Sequence, residues 1–290
     1  MSEKIILPNQ HPLRLIASDM DGTLLQTNLT IEAQTKALLI AWQKQGIRLV
    51  LISGRPLQGM IPYARELEMD RYEGVVIGAN GGHAYQLGVE KDLWRHTLSI
   101  PSAQHYFSLW EPYPLTLIAY GREKIYVDLP AKEHLTYLGM SMEKGLKRIE
   151  KITGLKVDLR DLTKPLPEEP VKACVLGERS TILKAQAAIK NDYEDHIYGA
   201  FSADNYYEAM VRGINKGTGL QEYADRYNIL PEEIIAFGDE DNDIPMLTYA
   251  GVGVAMGKAS EGAIAAAKYR TGSNNEAGIY QFLSGLPQEK

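Results

Sequence analysis

Apolar runs of strand length alternate with helix-length segments near both ends of the chain, and this rhythm limits the fold more than any other feature. Residues 13–18 form a short, mostly apolar run that stops at Asp19, which reads as a buried strand. Leu38, Leu39, Ala41 and Trp42 then recur at helical spacing. Thr30 is the expected N-cap, Glu32 suits the positive helix end and Gly46 the stop. Residues 47–52 are a second apolar run. Residues 56–69 read as a helix with Pro56 in its first turn, and residues 74–77 open a third run. The pattern returns late, with helices expected at 216–227 and 244–249 and strands at 234–237 and 251–256. Such alternation marks a parallel sheet covered by helices. The expected fold class is therefore α/β, with a doubly wound, Rossmann-like parallel-sheet core.

The middle of the chain departs from this rhythm. Residues 115–120 and 124–127 are strand-like and flank Gly121-Arg122-Glu123, a hairpin candidate. Residues 171–176 are another strand-like run, and the proline-rich stretch 164–170 reads as a loop. The sequence thus predicts a core made of residues 1–84 and 193–290, with an α+β domain, residues 85–192, inserted into it.

Composition narrows function by exclusion. An apolar content of 44% rules out wholesale disorder. With 31 Lys+Arg against 37 Asp+Glu, a net charge of −6, a nucleic-acid partner is not expected, whereas a local group of cations could still take a small anion. The single cysteine, Cys174, excludes an internal disulfide framework and a Cys-based zinc site. Residues 1–14 lack a signal-peptide core, and no stretch approaches the ~20 apolar residues that cross a bilayer. A soluble, cytoplasmic protein with no membrane partner is expected; the oligomeric state is not legible.

Polar chemistry gathers where the apolar runs end. Asp19-Met20-Asp21-Gly22-Thr23 follows the first run directly, and residues two apart in extended chain share a face, so both carboxylates can address one reacting atom. A solvated Asp-Gly turn is the alternative. Phe237-Gly238-Asp239-Glu240-Asp241-Asn242-Asp243 follows a late run and adds acids at what should be the same end of the sheet. If Asp19, Asp21, Asp239 and Asp243 converge, each pair at 4 Å repels by about 4 kcal/mol at an effective dielectric of 20, so convergence requires a cation. All-oxygen ligation favours Mg²⁺. Neither acidic segment is an EF-hand: the sixth and twelfth positions are Ile244 and Ala250 in one, Leu24 and Thr30 in the other.

Two further elements suit a phosphate. Ser53-Gly54-Arg55 ends the second run and supplies a hydroxyl and backbone N–H groups. Lys216 opens an expected helix, where a cation opposes the helix dipole unless both face an anion. Each alone could be a turn residue or a surface charge. Lys216 is followed by Gly217, so this is not a Walker motif. Cys174 lies in an apolar run and reads as a buried small hydrophobe, no Gly-x-Ser-x-Gly elbow is present, and the six histidines form no close metal-ligand pair.

Together these segments resemble the haloacid dehalogenase superfamily of phosphotransferases, most closely its Cof-like sugar-phosphate phosphatases. Asp19-Met20-Asp21-Gly22-Thr23, Ser53-Gly54-Arg55-Pro56, Lys216-Gly217-Thr218 and Gly238-Asp239-Glu240-Asp241-Asn242-Asp243 match its four motifs in order. The long insertion between Ser53 and Lys216 implies a type IIB cap that sets substrate specificity. The resemblance implies a Mg²⁺-dependent phosphatase of small phosphorylated metabolites, with sugar phosphates the leading class and flavin mononucleotide or pyridoxal phosphate alternatives. It further implies Asp19 as nucleophile, forming an aspartyl-phosphate, and Asp21 as proton donor and acceptor. The implied metal ligands are Asp19, Asp21 through its carbonyl, and Asp239, with Asp243 acting through water or as a support. Ser53, Gly54, Lys216 and Asn242 would hold phosphate, and Thr23 would brace the first loop. A non-catalytic phosphometabolite sensor is the rival of another class, but it needs no proton shuttle such as Asp21. Two segments depart from the family pattern, Asn80-Gly81-Gly82 and Gly257-Lys258-Ala259; a cleft-facing Lys258 would favour a more anionic leaving group.

Overall fold

The computed structural model describes residues 4–128, 141–203 and 205–289; His134 lies outside them. Contacts divide the chain into two units, Met1–Trp94 with Asn215–Lys290, and Arg95–Ile214.

In the first unit an eight-stranded sheet runs in the order Tyr269–Arg270, Val252–Ala255, Ile234–Gly238, Leu15–Ser18, Arg48–Ile52, Val75–Gly78, His83–Gln86, Lys91–Arg95. The first six are parallel, and His83–Gln86 turns back antiparallel on Val75–Gly78. Apolar side chains alternate between the faces, as the two-residue period of a strand requires. Leu49 and Leu51 join one buried cluster with Leu39 and Trp42 of helix Ala33–Lys44 and Ile279 and Leu283 of helix Gly278–Ser284. Val50 and Ile52 join the other with Leu220 and Tyr223 of helix Lys216–Arg226 and Met246 and Leu247 of helix Ile244–Tyr249. Both faces are therefore covered, which is why the central strands read as continuous apolar runs.

Chain order reverses at Leu15–Ser18. Later strands step outward from it on one side through Arg48–Ile52, and the last third of the chain adds Ile234–Gly238 on the other. A crevice opens beyond the carboxyl ends of the strands at such a switch point.

The second unit is a six-stranded sheet in the order Ile197–Ala203, Tyr206–Val211, Lys172–Leu176, Thr116–Tyr120, Lys124–Asp128, Lys156–Arg160, antiparallel except for the last pair. Tyr106, Phe107 and Trp110 of helix Ile100–Trp110 and Ile182 and Ala185 of helix Arg179–Ile189 pack with Ala119, Ala173 and Val175. Lys172 and Cys174 alternate with Ala173 and Val175 on the same strand, and Lys172 Nζ bonds Glu208 Oε1 at 2.6 Å.

Three sequence expectations change. Glu32, not Thr30, caps the first helix: its carboxylate accepts from the Gln34 and Thr35 N–H groups, because the Thr30 hydroxyl is used within its own turn by Gln26 and Asn28. Residues 56–69 are not one helix but a turn at Leu57–Gly59 and a helix at Ile61–Glu66; Pro62 starts the helix and has no N–H to continue the earlier turn. The units divide after Trp94 and Ile214 rather than after 84 and 192, because the hairpin ending at Arg95 extends the first sheet while Ile197–Ala203 and Tyr206–Val211 pair into the second. No helix among the described residues is long and apolar enough to cross a membrane.

The start of helix Lys216–Arg226 is fixed by a reciprocal cap: Thr218 N–H donates to Asn215 Oδ1 at 3.0 Å, and Asn215 N–H to Thr218 Oγ1 at 2.9 Å. Gly217 then packs so closely that a Cβ there would lie 2.6 Å from the backbone of Pro245. Gly217→Ala gains at most about 1 kcal/mol of helix propensity and incurs about 1–3 kcal/mol of overpacking against backbone that cannot step aside. A thermal melt should show a lowered midpoint; an unchanged or raised one would remove this contact from the account.

Candidate active site

The carboxyl ends of two neighbouring parallel strands bring the acids together. Asp19 follows Leu15–Ser18, and Asp239 follows Ile234–Gly238; the Asp19 N–H donates to the Phe237 carbonyl at 3.0 Å across the pair. The chain leaves the first strand through Gly22, at φ +79°, where a Cβ would stand 2.1 Å from Asp239 Oδ2. Glycine is thus required twice over, for the left-handed backbone and for the close approach. Thr23 Oγ1 donates to Asp239 Oδ1 at 2.7 Å and ties the first motif to the fourth.

Lys216 lies at the centre of this group. Its Nζ stands 2.6 Å from Asp19 Oδ1 and 2.6 Å from Asp243 Oδ1, and all three side chains are buried. Burial opposes the charge, yet the two carboxylates hold the ammonium well above its ordinary range. Burial pushes Asp19 up, helped by Asp243 and Asp239 and opposed by Lys216. Asp239 is raised to about 7, chiefly by burial, with the Thr23 hydrogen bond pulling the other way. Asp243 also closes the turn beside it, because its Oδ2 accepts from the Asp239 and Glu240 N–H groups at 2.9 and 3.0 Å.

One carboxylate oxygen from each of Asp19, Asp239 and Asp243 lies within 4.8 Å of the others. Three acids against one ammonium leave a negative excess, and the donor set is all oxygen, so the arrangement fits a hard divalent cation. Asp243 spends both oxygens on Lys216 and the backbone, which suits a support more than a ligand.

Asp21 stands apart from this group. Its side chain is 53% exposed and is gripped by Arg55, whose Nε and Nη2 donate to the two carboxylate oxygens at 2.6 and 2.5 Å. Ser53 is buried and accepts the Arg55 N–H on Oγ at 3.2 Å, with Gly54 half-buried between them. Asn242 Nδ2 donates to Asn80 Oδ1 at 3.1 Å. Lys258 is exposed. Burial pushes the Cys174 thiol up to about 12, which makes it no nucleophile. Sequence reasoning assigned no role to Arg55 or Asn80. An arginine after a strand end announces a charge but not its partner, and Asn-Gly after a strand announces only a turn.

A profile of haloacid dehalogenase-like hydrolases matches residues 16–283. The 5-amino-6-(5-phospho-D-ribitylamino)uracil phosphatase YitU of Bacillus subtilis is 26% identical over 93% of this chain and 96% of its own length. YbjI of Escherichia coli, which has the same named activity, is 27% identical over 93% and 95%. A crystal structure of a haloacid dehalogenase-like hydrolase from Bacteroides thetaiotaomicron superposes with a TM-score of 0.80 at 26% identity, over 94% of this chain and 98% of the other.

The raised Asp239 carboxyl sets a pH dependence. Between its unfolded value near 4 and its folded value of about 7, the metal-free native protein binds the extra proton, so stability falls as pH rises through that window. In chelator, the thermal midpoint should drop from pH 5 to pH 7.5. Added Mg²⁺ should raise it most at the alkaline end, and Asp239→Asn should make both trends shallower, leaving the share contributed by Asp19, which burial also raises. A midpoint rising with pH in chelator would contradict the assignment.

Proposed function

The chain belongs to the haloacid dehalogenase-like hydrolases and is a phosphatase of that kind, and on this premise we propose that it is a Mg²⁺-dependent phosphomonoesterase acting on phosphorylated sugars and sugar-like metabolites. The observation that carries this reading is Lys216 held between Asp19 and Asp243 beside the Asp239 carboxylate. A lone buried ion triad would serve packing poorly, but a nucleophile beside a fixed cation serves phosphoryl transfer.

In this reading Asp19 attacks phosphorus in line and forms an aspartyl-phosphate as the leaving oxygen departs. Lys216 offsets charge on the phosphoryl oxygens, and Ser53, the Gly54 backbone and Asn242 hold them. Asp21 gives a proton to the leaving oxygen and then takes one from the hydrolytic water. Both acts require its pairing with Arg55 to open, since the fork occupies both carboxylate oxygens. Mg²⁺, held by Asp19, Asp239 and the Asp21 carbonyl, would supply charge neutralisation at the phosphoryl group. Substrate selection is assigned to the inserted unit.

A second reading narrows the substrate. YitU and YbjI are both named for an ester on the terminal carbon of a ribityl chain that carries a heterocycle. Flavin mononucleotide has the same ribityl phosphate arrangement, so this class stands beside simple sugar phosphates.

Asp19→Asn should lower turnover by about a thousandfold or more. Chelation should abolish it and Mg²⁺ restore it. Asp21→Ala should still bind orthovanadate while losing hydrolysis. A panel of sugar phosphates, ribityl phosphates and pyridoxal phosphate ranks the classes by kcat/KM; full turnover by Asp21→Ala would overturn its role as proton carrier.

A further inference from the structure

The turn at Ala79, Asn80 and Gly81 belongs to none of the four motifs, yet it touches two of them and the residue that precedes a third. Ala79 (φ 51°) and Asn80 (φ 53°, ψ 40°) both occupy the left-handed region, which disfavours side-chain-bearing residues and Asn least among them. Two backbone hydrogen bonds hold the turn there: Ala79 N–H to the Arg55 carbonyl and Asn80 N–H to the Ser53 carbonyl, both 2.9 Å. Gly81 lies so near the start of the Lys216 helix that a Cβ would stand 2.3 Å from the Asn215 carbonyl oxygen. The buried Asn80 side chain reaches the fourth motif through Asn242 Nδ2.

Glycine would adopt this conformation with less strain, as the neighbouring Gly81 shows at φ +104°. A buried asparagine in a strained turn therefore points to a task for its side chain. Asn242 Oδ1 is buried with no hydrogen-bond partner among the described residues, so the contact with Asn80 alone decides which end of the Asn242 amide faces which way.

We propose that Asn80 is a positioning residue that locks the Asn242 amide with its nitrogen end toward the phosphoryl group. This rests on the reading of Asn242 as a phosphate ligand. An amide nitrogen carries two hydrogens. Asn80 Oδ1 takes one, and the other remains for a phosphoryl oxygen. Without that acceptor the amide is free to turn over and present Oδ1, a lone-pair acceptor, to an anionic group that has no hydrogen to give.

The test is a double-mutant cycle in saturating Mg²⁺, read by KM and kcat on a sugar phosphate and by inhibition with orthovanadate. Asn80→Gly keeps the backbone conformation and removes the contact; Asn242→Ala removes the ligand. Each alone should weaken vanadate binding about tenfold and raise KM more than it lowers kcat, as expected for one lost hydrogen bond to a charged group. The double variant should be no weaker than Asn242→Ala alone, because Asn80 acts through Asn242. Losses that multiply to about a hundredfold, or an Asn80→Gly enzyme that binds vanadate like the wild type, overturn the proposal while leaving Asn242 a ligand. An unaffected Asn242→Ala overturns the ligand reading and the proposal with it. Should Asn80→Gly not fold, Asn80→Ser, too short to reach Asn242, takes its place with the same outcomes.

Discussion

A buried ammonium between two carboxylates is the constraint around which the carboxyl end of the parallel sheet is arranged. Lys216 meets Asp19 and Asp243 at 2.6 Å each, and Asp239 stands beside them. Removing one partner from such a group strands an uncompensated charge, which typically costs about 3–5 kcal/mol. Each neighbouring device can be understood as keeping that group in register. The Asn215–Thr218 cap sets where the lysine's helix begins, and Gly217 lets that helix lie against Pro245. The Asp243 hold on two backbone N–H groups stiffens the acidic turn. Gly22 lets the first loop press against Asp239.

The parallel sheet makes the arrangement possible. Leu15–Ser18 and Ile234–Gly238 are neighbours in space although the chain between them is most of its length, and their carboxyl ends lie side by side. Reversal of strand order at that point splits the covering helices, so the ends of both strands are left open to a ligand. The rigidity comes from burial on both faces, Leu49 and Leu51 toward one cluster and Val50 and Ile52 toward the other. Two side chains that must move in the proposed cycle, Asp21 and Arg55, lie on the loops rather than on the sheet.

Much of this was legible before any coordinates. Apolar runs ending in Asp19 and Asp239 announced buried parallel strands and the acids at their tips, because burial on two faces leaves a continuous signature. The Lys216 helix was legible from the returning helix–strand rhythm, and the awkwardness of a cation at its start set Lys216 apart. What could not be read was pairing. Thr30 and Glu32 are both plausible caps, and only the turn that claims the Thr30 hydroxyl decides between them. Ile197–Ala203 and Tyr206–Val211 are not among the expected strands, and nothing local in the sequence announces that they join the sheet of Lys172–Leu176. Arg55 and Asn80 matter through partners 34 and 162 residues away, distances at which a single sequence carries no contact signal.

The same long-range pairing has a consequence for how the protein is made. Thr23 and Asp239 are 216 residues apart in the chain. At ribosomal speeds of about 5–20 residues per second, the nascent polypeptide carries Leu15–Ser18 for roughly ten to forty seconds before Ile234–Gly238 exists to pair with it. During that interval one border of a strongly apolar strand is open to foreign β-structure. The acid at its tip waits equally long for its ammonium, so Asp19 is synthesised among the first and neutralised among the last.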